Sequence, residues 1–133
     1  MNKDFLLNCF NNPKEINILD IYSYTIRYSR DYSLGGFYKI ESDSNIYIGK
    51  SKDFMGRLKQ HTFKSSNKTR IDNDLKINLE YYKFYLILDY KSQSINFSNR
   101  KLETILEQTF IKLANSSNKN ILNDRVYGHI SII

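Results

Sequence analysis

Between Gly35 and His61 the chain runs GGFYKIESDSNIYIGKSKDFMGRLKQH, and this stretch limits the folds open to it more than any other. Phe37 to Glu41 and Ile46 to Gly49 are short, apolar and β-prone, and Ser42-Asp43-Ser44-Asn45 between them has the side chains that favour a tight turn. The two runs therefore predict a β-hairpin. Beyond Gly49, Asp53 is placed to cap the first free N–H groups of a helix reaching about Phe63, with Phe54, Leu58 and His61 or Thr62 on its inner stripe. Arg57 and His61 lie one helical turn apart on that helix.

A chain of 133 residues fits a single domain that can bury a core without staples. Its one cysteine, Cys9, excludes an internal disulfide and a cysteine-rich metal site, which suits a reducing compartment. No run approaches the ~18 apolar residues of a membrane span, and Phe5 to Phe10 is too short and too polar for a signal segment. A cytoplasmic, non-membrane protein is expected.

Net charge is +6, and its location matters more than its size. Residues 50 to 70 hold Lys50, Lys52, Arg57, Lys59, Lys64, Lys68 and Arg70 against the single acid Asp53, so seven minus one accounts for the whole excess. Such a concentration is the electrostatic footprint of a face that binds a polyanion, with nucleic acid the leading partner.

The remaining segments complete an α/β pattern. Residues 1 to 15 suit a helix or loop, and Ile16 to Tyr32, rich in isoleucine and tyrosine, suggests a strand. A short helix is expected over Asp72 to Leu79, and Glu80 to Tyr90 reads as a central strand with two apolar faces. Lys91 to Ser98 is a polar loop. Asn99 to Ala114 is a helix whose stripe is Leu102, Ile105, Leu106, Thr109, Phe110 and Leu113, and Asn120 to Ile133 reads as an extended tail. The expected architecture is a three-stranded, mainly antiparallel sheet flanked by helices. Residues 1–34 form an N-terminal extension of the same compact unit, ahead of a domain at 35–133.

Gly36-Phe37-Tyr38, Tyr47-Ile48-Gly49, Arg57 eight residues later and His61 four beyond resemble the signature of the GIY-YIG nuclease superfamily. Glu107 with Phe110-Ile111-Lys112, then Asn120-Ile121-Leu122, resembles that family's second half, so the likeness spans residues 36 to about 122. Phe37 departs from the usual aliphatic residue of the first tripeptide, and Arg70 stands where some homing members carry another histidine.

The resemblance implies a DNA endonuclease that uses Mg²⁺, with Mn²⁺ as a substitute, and leaves 5′-phosphate ends. Tyr38 would take part in activating the water. Its hydroxyl, with a reference pKa of about 10, is only about 0.1% ionised at pH 7, so a neighbouring cation such as Lys39 or Lys50 would have to assist. Tyr47 would orient the phosphate or Tyr38. Arg57 would clamp the phosphate through paired hydrogen bonds, and His61 would shuttle a proton or bind the scissile phosphate. Gly36 and Gly49 have backbone roles.

For the metal, Glu103 and Glu107 stand at i, i+4 on the flank of the last helix, and helix geometry alone does not separate them. The residues that follow favour Glu107 as the family's ligand and leave Glu103 as a solvated or supporting acid. Asn120 is preferred to Asn118 and Asn123 for the family's asparagine because Ile121-Leu122 follow it.

A catalytically silent nucleic-acid-binding module of the same fold is the alternative. An interaction or inhibitor domain would leave the basic segment unexplained. Target specificity would come from this domain, from residues 1–34 or from a homodimer, or be absent. The Asn, Lys and Ile-rich composition suits an AT-rich genome, such as that of a phage or mobile element.

Overall fold

The computed structural model describes residues 2–26, 34–64, 69–91 and 100–124. In chain order the elements are α1 (Lys3–Asn11), β1 (Lys14–Ile16), α2 (Ile18–Ser23), β2 (Gly36–Glu41), β3 (Asn45–Ser51), α3 (Phe54–Phe63), α4 (Arg70–Asn78), β4 (Lys83–Asp89), α5 (Arg100–Asn115) and β5 (Asn120–Ile121). A 3₁₀ turn at Leu79–Tyr81 joins α4 to β4. No helix among the described residues is long and apolar enough to cross a membrane.

The sheet has five strands in the order β1-β4-β2-β3-β5. The hairpin β2–β3 and its neighbour β4 are the three antiparallel strands expected, with Tyr38 opposite Gly49 and Ile40 opposite Tyr47. Two edges correct that three-stranded expectation. Antiparallel β1 adds to β4 through Lys14, Glu15 and Ile16, and β5 pairs with β3 in parallel, Asn45 with Asn120 and Ile46 with Ile121, which makes the sheet mixed. Edges of three and two residues are too short to show a period of their own. The central strand is β2, with β4 beside it.

Ile16 to Tyr32 is not one strand. Pairing ends at Ile16 because Asn17 caps a helix, its side chain accepting from the Leu19 N–H at 2.8 Å. Residues 27–33 lie outside the described chain, as do 92–98 of the expected loop, the first residue of the helix expected from Asn99, and 125–133 of the expected tail.

Strand alternation divides the core between the two faces of the sheet. Phe37, Ile46 and Ile48 pack with Leu6 and Phe10 of α1 and with Leu106, Phe110 and Ala114 of α5. Tyr38 and Ile40 point the other way, into Ile21 of α2, Leu58 of α3 and Ile71 and Leu75 of α4. Lys39 shares the α1 face. Its ammonium donates to the Phe10 carbonyl at 3.1 Å and pairs with Glu41 at 3.3 Å. It therefore cannot assist Tyr38, contrary to the sequence expectation.

Residues ahead of the hairpin brace α3. The Tyr24 hydroxyl donates to Asp53 Oδ1 at 2.7 Å, Lys59 Nζ donates to the Tyr24 carbonyl at 2.7 Å, and the Tyr22 ring meets Phe63 edge-on at 5.1 Å. Asp53 in turn caps α3, accepting from the Gly56 N–H at 3.2 Å.

Beyond β5 the ladder on β3 is completed by a side chain. Asn123, buried, accepts from the Ile48 N–H at 3.0 Å and donates to the Ile48 carbonyl at 2.7 Å. Replacing Asn123 by Ala would leave both backbone groups unsatisfied, so urea denaturation should show a loss of about 2–4 kcal/mol. Asn120→Ala, on an exposed residue, should change stability by less than about 0.5 kcal/mol.

Candidate active site

The site is built where the hairpin strands end. Tyr38 on β2 faces Gly49 on β3, and its ring lies so close over that residue that an added Cβ would fall 2.3 Å from Tyr38 Cζ and 2.4 Å from the hydroxyl oxygen. Gly49 is thus the floor under the tyrosine. Gly36 serves tighter strand packing, since a Cβ there would meet Leu86 Cδ1 at 2.7 Å. Opposite Tyr38 the β2–β4 register shifts between Phe37 and Tyr38, an irregularity of the kind that re-aims a side chain.

The helix α3 brings His61 to the tyrosine. His61 is almost fully buried at 1% exposure, with Nε2 3.0 Å from the Tyr38 hydroxyl and Nδ1 2.6 Å from Asp72 Oδ1. Asp72 arrives on the first turn of α4, whose Thr69 cap accepts from the Asp72 N–H at 3.2 Å. Tyr47, two residues before Gly49 on the same face, closes the cluster with its ring 5.2 Å from His61 and 6.3 Å from Tyr38.

Arg57 sits one turn before His61 and is exposed, its Nη1 donating to Gln60 Oε1 at 3.1 Å. Burial, reinforced by the Tyr47 hydroxyl, pushes the Tyr38 hydroxyl well above the usual tyrosine value, and the Arg57 guanidinium pulls it back. Burial also raises Tyr47, again opposed by Arg57. Burial alone would raise Asp72, but the hydrogen bonds from His61 and Thr69 and the charge of Arg57 hold the carboxyl below its ordinary range.

A second group of charges reaches the site from the other face. Glu107 on α5 pairs loosely with Lys50 of β3, Nζ to Oε1 3.9 Å, and its charge still raises both tyrosine hydroxyls. Burial raises the Glu107 carboxyl, Lys50 lowers it, and Glu103 one turn earlier raises it again. Glu103 is not the solvated acid expected: it is 6% exposed, and its Oε1 has no hydrogen-bond partner. Burial raises its carboxyl, while the charges of Lys50 and Lys52 of the β3 end and of Arg100 act on it and lower it.

Among the described residues no three His, Cys, Asp or Glu side chains come together. A site of this kind fits a hard cation that keeps water and substrate oxygens in its shell and takes one or two carboxylates from the protein. Glu107, half-buried and loosely paired, and the unpartnered oxygen of Glu103 supply that chemistry.

The structure thus brings together Tyr38, Tyr47, Gly49, Arg57 and His61, with Glu107 and Lys50 adjoining. Asn120 is not gathered in. It is exposed beside Asn45, four residues or about 13 Å along β3 from Gly49. Buried Asn123 instead holds the backbone immediately before Gly49. Of the basic residues, Lys52, Arg57, Lys64 and Arg70 are exposed, Lys50 and Lys59 are engaged with Glu107 and Tyr24, and Lys68 lies outside the described residues. Sequence reasoning missed Asp72, although Thr69-x-x-Asp72 has the spacing of a capping box opening a helix. It weighed Asn123 only as an alternative to Asn120, because the role of Asn123 exists only once β5 pairs with β3.

Comparison with known proteins gives one match. Residues 34–120 fit a family model described as the GIY-YIG catalytic domain. No curated protein and no solved structure matches the chain.

Two outcomes test this geometry. Gly49→Ala should push the Tyr38 ring off its floor and lower stability by about 1–3 kcal/mol in denaturant titrations. Burial holds the Glu103 carboxyl above its ordinary 4.5, so the folded chain binds that proton more readily than the unfolded one. The resulting stability is present in acid and lost as pH rises through the raised value. Glu103→Gln should therefore melt higher than wild type at about pH 7, with the difference closing toward about pH 4.

Proposed function

Because the chain belongs to the GIY-YIG family, we propose that it is an endonuclease hydrolysing DNA phosphodiester bonds, dependent on Mg²⁺ and leaving 5′-phosphate ends. The observation that carries this reading is the Tyr38 hydroxyl 3.0 Å from His61 Nε2, with the charges of Arg57 and Glu107 both acting on it.

Burial disfavours a tyrosinate at Tyr38, so the hydroxyl is suited to passing a proton on rather than holding a charge. As a water oxygen attacks phosphorus, its proton moves to the Tyr38 oxygen while the Tyr38 proton moves to His61 Nε2. The bond from phosphorus to the 3′ oxygen breaks, that oxygen takes a proton from solvent, and the phosphate stays on the 5′ end. Arg57, exposed beside the tyrosines, donates to the phosphate oxygens and offsets their developing charge. Tyr47 holds the orientation of Tyr38. Glu107, with Glu103 one turn earlier on α5, would hold a Mg²⁺, which would supply charge neutralisation at the phosphate and at the leaving oxygen. Lys52, Lys64 and Arg70 extend the cationic surface along which the backbone of the duplex lies.

Supercoiled plasmid incubated with the purified protein in Mg²⁺ should become nicked and linear, and EDTA should stop it. Glu107→Ala should abolish the metal-dependent cutting, and Tyr38→Phe should slow it by about 10²- to 10⁴-fold. Neutralisation of about five phosphates gives a log–log salt slope of about −4.5 for binding. Salt-sensitive binding without cutting of DNA or RNA by wild type would replace this reading with a silent binding module.

A further inference from the structure

Behind Tyr38 and His61 stands a third group that no motif names. We infer that Asp72 is a positioning residue for the reaction, locking His61 in the one tautomer whose Nε2 can accept the Tyr38 proton. This rests on the endonuclease reading and adds to it the device that makes the imidazole a one-way proton acceptor.

The argument starts from hydrogen-bond inventory. An ionised carboxylate only accepts, so the 2.6 Å contact between Asp72 Oδ1 and His61 Nδ1 requires the proton on Nδ1. In the neutral ring Nε2 then carries a lone pair and no proton. The 3.0 Å contact to Tyr38 consequently runs from the hydroxyl to Nε2, the direction in which a proton must leave.

The surroundings keep it so. Tyr38 and His61 are each 1% exposed and Asp72 6%, so water does not compete for either ring nitrogen. When the imidazole takes up the tyrosine proton it becomes a cation inside the protein, and the adjacent carboxylate is the charge that stabilises it. Asp72 does not need to accept that proton.

Asp72 is itself fixed. It lies on the first turn of α4, where the helix N-terminus favours a carboxylate, and Thr69 caps the same turn. The Arg57 charge adds to that stabilisation from α3. Two of the groups facing His61 therefore have assigned directions, the hydroxyl giving and the carboxylate receiving. Tyr47 touches only the ring face and edge.

Asp72→Asn tests the inference, because the amide keeps the shape and can donate. An Asn Nδ2–H pointing at Nδ1 would drive the His61 proton to Nε2, reverse the bond to Tyr38 and leave no acceptor for the tyrosine proton. Ring ¹⁵N shifts of His61 should show Nδ1 protonated in wild type and Nε2 protonated in the variant. Turnover should fall roughly 10³-fold or more, the scale seen when an amide replaces the carboxylate behind a catalytic imidazole. KM and the salt dependence of DNA binding should stay within about 3-fold of wild type, since no uniform binding contact is removed.

A wild-type ring protonated at Nε2, read without any variant, overturns the inference even where Asp72→Asn fails to fold. A folded Asp72→Asn that cuts as fast as wild type also overturns it while leaving the endonuclease intact. A wild type that cuts nothing removes the endonuclease itself, and the inference with it, which is a distinct result.

Discussion

The contact between the Tyr38 ring and the bare backbone of Gly49 is the constraint on which the rest of the site depends. The two residues are cross-strand partners in the hairpin, and a ring can lie over its partner only where that partner has no Cβ. With the ring held there, its hydroxyl has one place to point, toward α3 and His61. The position of α3 follows from the same requirement. Asp53 caps it, and the segment ahead of the hairpin grips it through Tyr24, Lys59 and the Tyr22–Phe63 edge contact. The N-terminal residues thereby act on the site without touching its chemistry.

A buried chain of hydroxyl, imidazole and carboxylate is a costly thing for a small domain to keep. Each member loses water, and only complete pairing offsets the loss. Here the pairing is complete on the tyrosine face and incomplete on the other, where Glu103 buries an oxygen without a partner and Glu107 has only the loose contact with Lys50. That asymmetry is informative. A satisfied network holds its own geometry, whereas incompletely paired carboxylates lower stability, which is the usual trade between stability and function at a site.

The parts of the fold legible in the sequence are those with a strong local signal. The hairpin follows from two β-prone runs about a Ser-Asp-Ser-Asn turn, α3 from the Asp53 cap and its apolar stripe, and α5 from a stripe repeated over four turns. What escaped depends on pairing between distant segments. β1 and β5 are strands only because β4 and β3 offer them an edge. Ile16 to Tyr32 looked like a strand by propensity, but one asparagine at residue 17 overrode it. Lys39 adjoins Tyr38 in sequence, yet the period of two sends it to the opposite face. The site followed the same rule. Tyr38, Arg57 and His61 lie within the hairpin-and-helix unit and could be read together, whereas Asp72, eleven residues past His61, joins them only when α4 packs on α3.

The two faces of the sheet also divide the labour of the site. Tyr38, His61 and Asp72 lie on the side of α3 and α4, Glu103 and Glu107 on the side of α5, and the two groups meet toward the end of β3, where Gly49 and Lys50 alternate between the faces. Glu107 raises both tyrosine hydroxyls from across the sheet while Arg57 lowers them from the same side. Neutralising Glu107, by a proton or by any bound cation, would remove one of the influences that raise them, leaving burial to raise and Arg57 to lower. The readiness of Tyr38 to give up its proton is thus coupled to the charge state of an acid it does not touch. Such coupling needs no moving part, because the buried hydroxyl feels both charges across a strand end that the fold keeps fixed.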